Sequence, residues 1–387
     1  MHIEIISSLE QVSPLQWNSL VKDNNPFVRH EFLIALERHN CVGEAFGWLP
    51  HHIVVYEGEE LIGAMPLYEK YNSYGEFVFD HAWANAYKHH GLDYYPKLVS
   101  SIPYTPASGQ RLLSKAGCET EMYPVLLSTA MHLTNELQAS GFHCLFALCE
   151  EQDWLEQQAM IVRHDCQFHW KNFNYQSFDE FLATLSAKKR KNIRQERRKV
   201  TESGVKLRIL DGYSASQEDW KRFAFFYTHT FESKWGMPTL NEGFFAEVGA
   251  NLPDQVVLVM ADLEGECIAG SLMYRSDTHL FGRHWGCVEY VDNLHFEACY
   301  YQGIEYCIRN GLAVFEPGAQ GEHKVPRGFI PTLTRSSHWL SSEMFRQPVQ
   351  RHCEHEQQAV AHYIDSVREH LPYRAEFIEQ HLNTNNA

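Results

Sequence analysis

The chain has 387 residues, a formal net charge of −16 at pH 7 and 44% hydrophobic residues. These values predict a folded protein with room for about two or three domains, and they exclude a disordered chain. The excess of carboxylates makes the chain a poor general nucleic-acid binder, so no DNA partner is predicted and any contact with nucleic acid is expected only at a locally basic helix. The N-terminal residues do not resemble a signal peptide, no apolar run is long enough to span a bilayer, and the ten cysteines form no CxxC pair. We therefore expect a cytoplasmic protein with reduced thiols.

The first half of the chain predicts helices, then a β-meander, then a helix and a strand. Residues 1–50 carry two helical patterns, VSPLQWNSLV and HEFLIALERH, separated by Pro26. Two β-rich runs joined at Gly58-Glu59 follow, and FVFDHAW is predicted to continue the meander. The aromatic segment 83–111 is predicted as loop and helix lining a surface. Residues 119–140 are predicted as a helix and GFHCLFALC as a buried strand.

The second half repeats this order. A strand pair is predicted around residues 161–172, and EDWKRFAFFYTHTFESKW is predicted as a helix after a basic stretch. Gly265 and Gly270 then bracket the start of a second strand with the same spacing as Gly58 and Gly63. Each hairpin is followed by a tryptophan and a tyrosine pair, which indicates a duplicated α/β unit. The alternative is that any glycine-turned hairpin gives this short match.

The chain is predicted to end in a helix, a strand, a polar loop and a helical tail. HFEACYYQGIEYCIRNG is predicted as a helix ending at Gly311, LAVFE as a buried strand, and the tail from Glu343 as helical with an interruption at Pro372. The predicted domains are residues 1–150 and 151–345, followed by the tail 346–387.

The most unusual stretch runs from Ser177 to Val205 and is predicted as one helix over residues 178–203. Ser177 and Glu180 have capping-box spacing, and Gly204 is placed to end the helix. Eight of the 33 Lys and Arg residues fall between Lys188 and Lys199, opposite an apolar stripe. One interpretation is a solvated charged face near a helix C-terminus, where cations are favoured. The concentration of cations in an acidic chain favours the other, an anion-binding surface for phosphates or carboxylates, with these candidate ligands: Lys188, Arg190, Lys191 and Arg194.

Three stretches resemble the signatures of one family. FLATLSAKKRKNIRQERRKV resembles the basic helix of FemAB-like transferases, which belong to the GNAT superfamily. YYPKLVSSIPYTPASGQRLL and FEPGAQGEHKVPRGFIPTLTRSSHW are similar to the two other signatures of the bacterial FemAB-like group labelled peptidoglycan biosynthesis/recognition proteins. The resemblance implies two tandem GNAT-like α/β domains, each a mixed β-sheet flanked by helices. Founding members of the family transfer aminoacyl groups from charged tRNA to an amine of a peptidoglycan precursor.

The resemblance therefore implies an acyl- or aminoacyl-transferase that acts on an amine of a peptidoglycan-type precursor. Two alternatives stay open: a non-catalytic recognition protein for cell-wall precursors, and a CoA-dependent N-acyltransferase of a small metabolite. Neither half carries a clean GNAT pyrophosphate loop, Q/R-x-x-G-x-G/A. Acetyl-CoA or another acyl-CoA and aminoacyl-tRNA are the candidate donors, so the expected partners are an anionic small molecule or precursor and, for one donor, tRNA.

The loop after LAVFE contains the side chains that acyl transfer to an amine requires. Glu316, at the end of the strand, is the first candidate for the base that deprotonates the amine, and His323 is the second. Lys324 and Arg327 can hold a phosphate or carboxylate, and Gln320 can hold an amide. The alternative for Glu316 and His323 is an ordinary solvated position.

The first half supplies three further candidates for substrate binding. Tyr94 and Tyr95 are candidates, although adjacent tyrosines are more often packing residues. Arg111 is a better candidate, because Gly109 allows the backbone to bend around an anion. The 23 histidines include no HExxH motif and no paired Cys/His set, so no metal site is predicted.

Overall fold

A computed structural model of the chain describes residues 1–234, 236–319 and 321–382. In chain order the strands are β1 (His2–Ile6), β2 (Trp48–Pro50), β3 (His52–Glu57), β4 (Glu60–Met65), β5 (Tyr68–Lys70), β6 (Lys97–Ser100), β7 (Leu113–Ser114), β8 (Gly141–Leu145), β9 (Ile161–Lys171), β10 (Lys206–Leu210), β11 (Val256–Leu263), β12 (Glu266–Arg275), β13 (His279–Cys287), β14 (Val314–Glu316) and β15 (Ile330–Leu340).

The helices, in the same order, are α1 (Pro14–Asn18), α2 (His30–Arg38), α3 (His81–His89), α4 (Glu119–Glu136), α5 (Cys149–Glu156), α6 (Phe178–Thr184), α7 (Ala187–Glu202), α8 (Gln217–Glu232), α9 (Glu242–Asn251), α10 (Leu294–Phe296), α11 (Gln302–Asn310), α12 (Glu343–Arg368) and α13 (Ala375–His381). A π-helical turn, Glu297–Tyr301, joins α10 to α11. Within the described ranges, no helix combines the length and apolarity needed to cross a membrane.

The chain forms two compact units that interleave in sequence. The first unit comprises residues 1–165, 239–248 and 333–361, and the second comprises 166–238, 249–332 and the chain from 362 onward. Strand β9 begins in the first unit and ends in the second, and β15 does the reverse. The predicted contiguous domains, 1–150 and 151–345 with a tail from 346, remain a prediction.

The first unit contains two sheets and a helix-covered core. One sheet is antiparallel in the order β1-β3-β4-β7, and the other has the order β15-β8-β6-β5-β2. Within the second sheet β6 and β8 run parallel, whereas the pairs β15-β8, β6-β5 and β5-β2 are antiparallel. Helix α4 buries Met122, Leu126 and Ala130 in the same core as Leu98 of β6 and Phe142 of β8. Apolar residues spaced three or four apart therefore hold this helix in the core of the unit.

The second unit contains a sheet in the order β10-β11-β12-β13-β14-β9. Its strands pair antiparallel except β13 and β14, which are parallel. Helix α8 packs directly on β12 and β13, where Gly270 and Gly286 are opposite each other. A Cβ atom on Gly286 would lie 2.3 Å from the carbonyl oxygen of Phe226 on α8. The close approach of helix and sheet therefore requires glycine here.

Each unit is a mixed β-structure flanked by helices, which confirms the predicted α/β class. The tail is helical, as predicted, and Pro372 lies between α12 and α13. The prediction of one helix over residues 178–203 is wrong, because the chain is extended at Leu185 and a second helix starts at Ala187. The backbone N–H of Ser186 donates to the carbonyl of Pro372 at 2.8 Å, and Leu185 forms a β-bridge with Tyr373. The C-terminal segment thus takes the bonds that a continuous helix would need.

The cap predictions for this stretch hold at both ends, with one difference. The Ser177 side chain accepts a hydrogen bond from the Glu180 backbone N–H at 3.2 Å, and Gly204 follows α7 with a φ of +84°. The Glu180 side chain accepts from the Gln176 backbone N–H, one residue earlier than the capping box requires.

Four predictions for individual strands are wrong. FVFDHAW is not a strand, since α3 begins at His81, and segment 83–111 contains strand β6 as well as helix and loop. Residues 161–171 form one long strand instead of a pair, and the N-terminal helical region is preceded by β1. The polar loop after β14 is also shorter than predicted, because it continues into β15.

The repeated hairpin is real, but its glycines do not correspond. Glu57 is opposite Glu60 across a Gly58-Glu59 turn, whereas Leu263 is opposite Glu266 across a Glu264-Gly265 turn. The two turns therefore differ by one residue in the position of their glycine. Gly63 and Gly270 also occupy different positions relative to the turn, so sequence spacing alone aligned the copies one residue out of register.

Candidate functional site

The sheet of the second unit opens at the end of β14. Strands β13 and β14 pair over three positions, from His279 opposite Val314 to Phe281 opposite Glu316. Beyond this point β13 continues to Cys287, whereas β14 ends and the chain enters the loop predicted to carry the chemistry. Side chains of that loop therefore lie at the carboxyl end of a parallel strand pair, a frequent location for ligand sites in α/β proteins.

Glycines shape this loop. Gly318, Gly321 and Gly328 have φ values of +96°, +114° and +94°, which side chains with a Cβ rarely adopt. A Cβ atom on Gly328 would lie 2.7 Å from the ring of Phe181 on α6. Between the last two glycines, residues Glu322–Arg327 form a 3₁₀ helix, which holds His323 and Lys324 on a tightly folded turn.

Lys324 is a buried lysine without a carboxylate partner. Lys324 is 2% exposed, and its Nζ atom donates a hydrogen bond to the Gly318 carbonyl at 2.6 Å. No ion pair joins it to a carboxylate in the part of the chain that the structure describes. Burial lowers the pKa of Lys324 to about 8. A buried amine with a perturbed pKa is costly, and such groups concentrate at functional sites.

His323 is held by its neighbours on the π-helical turn. Its Nε2 atom lies 2.8 Å from the hydroxyl of Tyr300. Burial, together with the charges of Lys324 and Arg327, lowers the pKa of His323. A lowered pKa favours the neutral imidazole, which is the form that can accept a proton. This position agrees with its predicted role as a base, which stays a prediction.

Glu316 is 4% exposed and ends β14. The nearest part of β13 carries Arg283, whose pKa burial lowers to about 10 while the Glu316 carboxylate partly opposes that change. Sequence reasoning missed Arg283, because nothing in its local pattern separates it from an ordinary strand residue. Gln320, also a predicted ligand, lies outside the described residues.

Arg327 forms an ion pair with Glu196 of the basic helix α7. Its Nη2 atom donates to Glu196 Oε1 at 2.9 Å, and its Nη1 atom donates to the His323 carbonyl at 2.6 Å. The guanidinium lies 3.4 Å from the ring centre of Phe296. Sequence reasoning missed Glu196, although it is the one carboxylate between Lys188 and Lys199.

The predicted anion ligands lie at the first turns of α7. The residues from Lys188 to Lys191 follow its N-terminus at Ala187, and no ion pair involves them among the described residues. Arg194 pairs with Asp179 at 2.8 Å. Because a helix N-terminus carries partial positive charge, cations there are disfavoured unless an anion binds. The favourable effect of a helix C-terminus therefore does not apply to Lys188–Lys191, and their role as anion ligands stays a prediction.

The other cations of α7 are structural. Arg197 binds Glu297 and Glu305 with Nη–Oε distances of 3.0 and 2.9 Å. Lys199 pairs with Asp292 at 2.9 Å. These contacts fix the C-terminal half of the helix to the second unit.

Tyr94, Tyr95 and Arg111 belong to the first unit, whereas the loop after β14 belongs to the second. The Tyr94 hydroxyl donates to Asp80 Oδ2 at 2.6 Å, and the Tyr95 hydroxyl lies 2.8 Å from Ser73 Oγ. Both tyrosines therefore take part in a polar network, which sequence reasoning missed because no motif or periodic spacing marks its members. At the centre of that network is Lys97, which is fully buried and donates to Ser73, Glu76 and Asp80.

Arg111 is also buried, at 1% exposed. Its guanidinium donates to three main-chain carbonyls at 2.9 to 3.0 Å, those of Leu145, Gln110 and Ala107. These bonds tie its loop to strand β8. The structure gives Arg111 a clear structural task, and its role as a ligand stays a prediction.

Comparisons with known proteins identify the family of this chain. The model of the FemAB-like family, described as peptidoglycan biosynthesis/recognition, matches residues 8–375. No curated protein gives a significant match.

Solved structures match at low identity. FemX is 11% identical with a TM-score of 0.52, over 90% of this chain and all of its own. The C-terminal domain of a putative lysylphosphatidylglycerol synthetase from Agrobacterium fabrum is 7% identical with a TM-score of 0.53, over 88% of this chain and 94% of its own. A tandem GNAT protein from the clavulanic acid pathway is 9% identical with a TM-score of 0.45, over 88% and 98%. The family model and the likeness to FemX therefore show the FemAB-like α/β fold that the sequence predicted.

Proposed function

Because the chain belongs to the FemAB-like family of peptidoglycan biosynthesis/recognition proteins, we propose that it transfers an aminoacyl group to an amine of a peptidoglycan-type precursor. The observation that carries this proposal is Lys324, a buried amine with no carboxylate partner in the described chain. A purely structural lysine at this position would destabilise the fold, because no opposite charge compensates for its burial. A ligand anion beside it would supply the missing opposite charge.

Each step of an acyl transfer has a candidate group at the end of β14. Glu316 takes the proton of the attacking amine, directly or through a water, with His323 as the alternative base, and the same group returns the proton to the ribose oxygen of the tRNA as the ester C–O bond breaks. Lys324 stabilises negative charge on the donor or on the oxyanion that forms when the amine attacks the carbonyl. Burial strengthens this interaction, because the effective dielectric constant is lower than in water.

The geometry favours charged tRNA over acyl-CoA as the donor. Neither half of the sequence carries a clean GNAT pyrophosphate loop, Q/R-x-x-G-x-G/A. The connection after β13, VEYVDN over residues 288–293, contains two carboxylates, and Asp292 pairs with Lys199. The unpaired cations at the start of α7 instead suit the phosphates of a polyanion. Acyl-CoA remains an outcome of the test.

The test is a reconstituted transfer assay with purified protein, aminoacyl-tRNA or acetyl-CoA as donor, and a UDP-linked muropeptide as acceptor. We expect product with aminoacyl-tRNA and loss of turnover in Lys324→Met, with Lys324→Arg as the charge-retaining control. Binding of the muropeptide without turnover under any donor would support a recognition protein. Product with acetyl-CoA alone would show that the donor is acyl-CoA and would contradict the assignment of charged tRNA as the donor.

The basic segment is tested separately by charge reversal. Lys188→Glu with Lys191→Glu should weaken tRNA binding and flatten its dependence on salt, because fewer counterions are released. Lys206→Glu is the matched control, since Lys206 is an exposed lysine of the same unit on β10. Equal affinity of both variants for tRNA at low salt would contradict the assignment.

A further inference from the structure

Glu196 is a carboxylate within the most basic segment of the chain. It lies on α7 between Arg194 and Arg197, and its side chain accepts hydrogen bonds from two groups of other elements. Oε1 accepts from Arg327 Nη2 at 2.9 Å, and Oε2 accepts from the hydroxyl of Tyr301. Neither partner belongs to α7, so Glu196 connects this helix to the loop after β14 and to the π-helical turn.

The contact with Arg327 reaches the residues of the candidate site. Arg327 is 8% exposed and donates through Nη1 to the carbonyl of His323 at 2.6 Å. His323 directly precedes Lys324 in the 3₁₀ helix. Glu196 therefore supplies the negative charge that pairs with Arg327. Arg327 in turn is bonded to the turn that carries His323 and Lys324.

The helix that carries Glu196 is itself firmly anchored. The next residue, Arg197, binds Glu297 and Glu305. Ile193 and Val200, near Glu196 on the same helix, are buried in the core of the second unit. A carboxylate on a rigid element can fix a loop more precisely than one on another loop.

We propose that Glu196 is a positioning residue that holds the turn Glu322–Arg327, and thereby keeps Lys324 buried against the Gly318 carbonyl. Its catalytic meaning rests on the proposed function, whereas its effect on the placement of Lys324 does not. Glu196→Gln keeps the size of the side chain but removes the charge that pairs with Arg327. The turn then loses its ionic anchor, and Lys324 gains access to water.

The first measurement does not depend on activity. Trace labelling of amines with acetic anhydride between pH 7 and 11, read by mass spectrometry of the peptide containing Lys324, gives the pKa and accessibility of that amine. We expect a midpoint near 8 in the wild-type protein, and in Glu196→Gln a midpoint displaced towards the ordinary value of about 10.5 with faster labelling. The matched control is Glu202→Gln, because Glu202 lies on the same helix and pairs with Arg198 of α7 itself.

The second measurement separates positioning from binding. Since misplacing a catalytic group by about 1 Å can cost about a hundredfold in rate, we expect kcat to fall by that order in Glu196→Gln with the KM for the donor unchanged. Tyr301→Phe removes the other donor to Glu196 and leaves the pair with Arg327, so it should retain the wild-type labelling of Lys324.

The outcomes decide the two proposals independently. A folded Glu196→Gln variant with wild-type labelling of Lys324 overturns the positioning role, and so does a rise in KM at constant kcat. If the wild-type protein has no turnover with any donor, the proposed function fails while the labelling still decides the role of Glu196. If Glu196→Gln does not fold, Arg327→Lys tests the same connection. Lysine keeps a positive charge beside Glu196 but lacks the second nitrogen that donates to the His323 carbonyl.

Discussion

Replacing Lys324 by methionine should stabilise the protein near neutral pH while removing its proposed activity. Burial lowers the pKa of this amine from its ordinary value of 10.5 to about 8. The unfolded chain therefore binds the proton more tightly than the folded chain, and stability rises with pH between these two values. At about 1.36 kcal/mol for each pKa unit, the charged lysine costs about 3 kcal/mol at pH 7.

Two opposing effects set the expected difference in the free energy of unfolding between Lys324→Met and the wild-type protein. Methionine removes the charge cost but leaves the Gly318 carbonyl without its donor, which costs about 1 kcal/mol. We expect Lys324→Met to be more stable by about 2 kcal/mol at pH 7. Above pH 8 the advantage should shrink by about 1.4 kcal/mol for each pH unit and reverse near pH 10.

The assay is urea unfolding of both proteins at pH 7, 8, 9 and 10. Pulsed hydrogen exchange of peptides from β14 and α11 reads the unfolding of the second unit by itself. Lys206→Met controls for removing an exposed lysine and should show no pH-dependent difference from the wild-type protein. A Lys324→Met variant that is less stable at pH 7, or a difference independent of pH, would refute the assignment of Lys324 as a buried, strained amine.

Three smaller predictions concern stability and are checked by thermal or urea unfolding. Gly328→Ala should lower the free energy of unfolding by about 3 kcal/mol, because its Cβ would lie 2.7 Å from Phe181. Gly265 has a similar φ and no atom within 4 Å of its Cβ position, so Gly265→Ala should cost only about 1 kcal/mol. Equal losses of stability in the two variants would contradict the steric argument. Arg111→Met should lower the free energy of unfolding by about 3 kcal/mol, since it leaves three carbonyls without a donor, and a neutral effect would favour a ligand role. Ser177→Ala should cost about 1 kcal/mol through loss of the helix cap.

Sequence patterns predicted the elements whose stabilising contacts are local. The hairpin of β3 and β4, the strands β11 to β13 and the helices α4 and α8 follow from periodicity and turn residues over short windows. The break between α6 and α7 could not be predicted this way, because the groups that stabilise it, Pro372 and Tyr373, lie in the C-terminal segment. The apolar stripe continues across the break, so the pattern looks like one helix.

The same limit applies to the candidate site. Composition identified the loop that carries Glu316, His323 and Lys324, because its polar residues follow directly after a buried strand. It also placed the cations of α7 on one surface, but not at the helix N-terminus. Glu196 and Arg283 acquire their importance only from residues that are distant in sequence, and no local spacing indicates such partners.

Strand β8 is synthesised long before β15, the strand with which it pairs. His143 of β8 faces His338 of β15, and the two residues are 195 positions apart. At a translation rate of about 5 to 20 residues per second, β8 leaves the ribosome roughly 10 to 40 s before β15. Until then one edge of the sheet in the first unit has free backbone donors and acceptors, which makes the nascent chain prone to pair with other strands. The interleaved units thus make this protein a predicted client of chaperones that bind nascent chains, and a poor candidate for expression as separate halves.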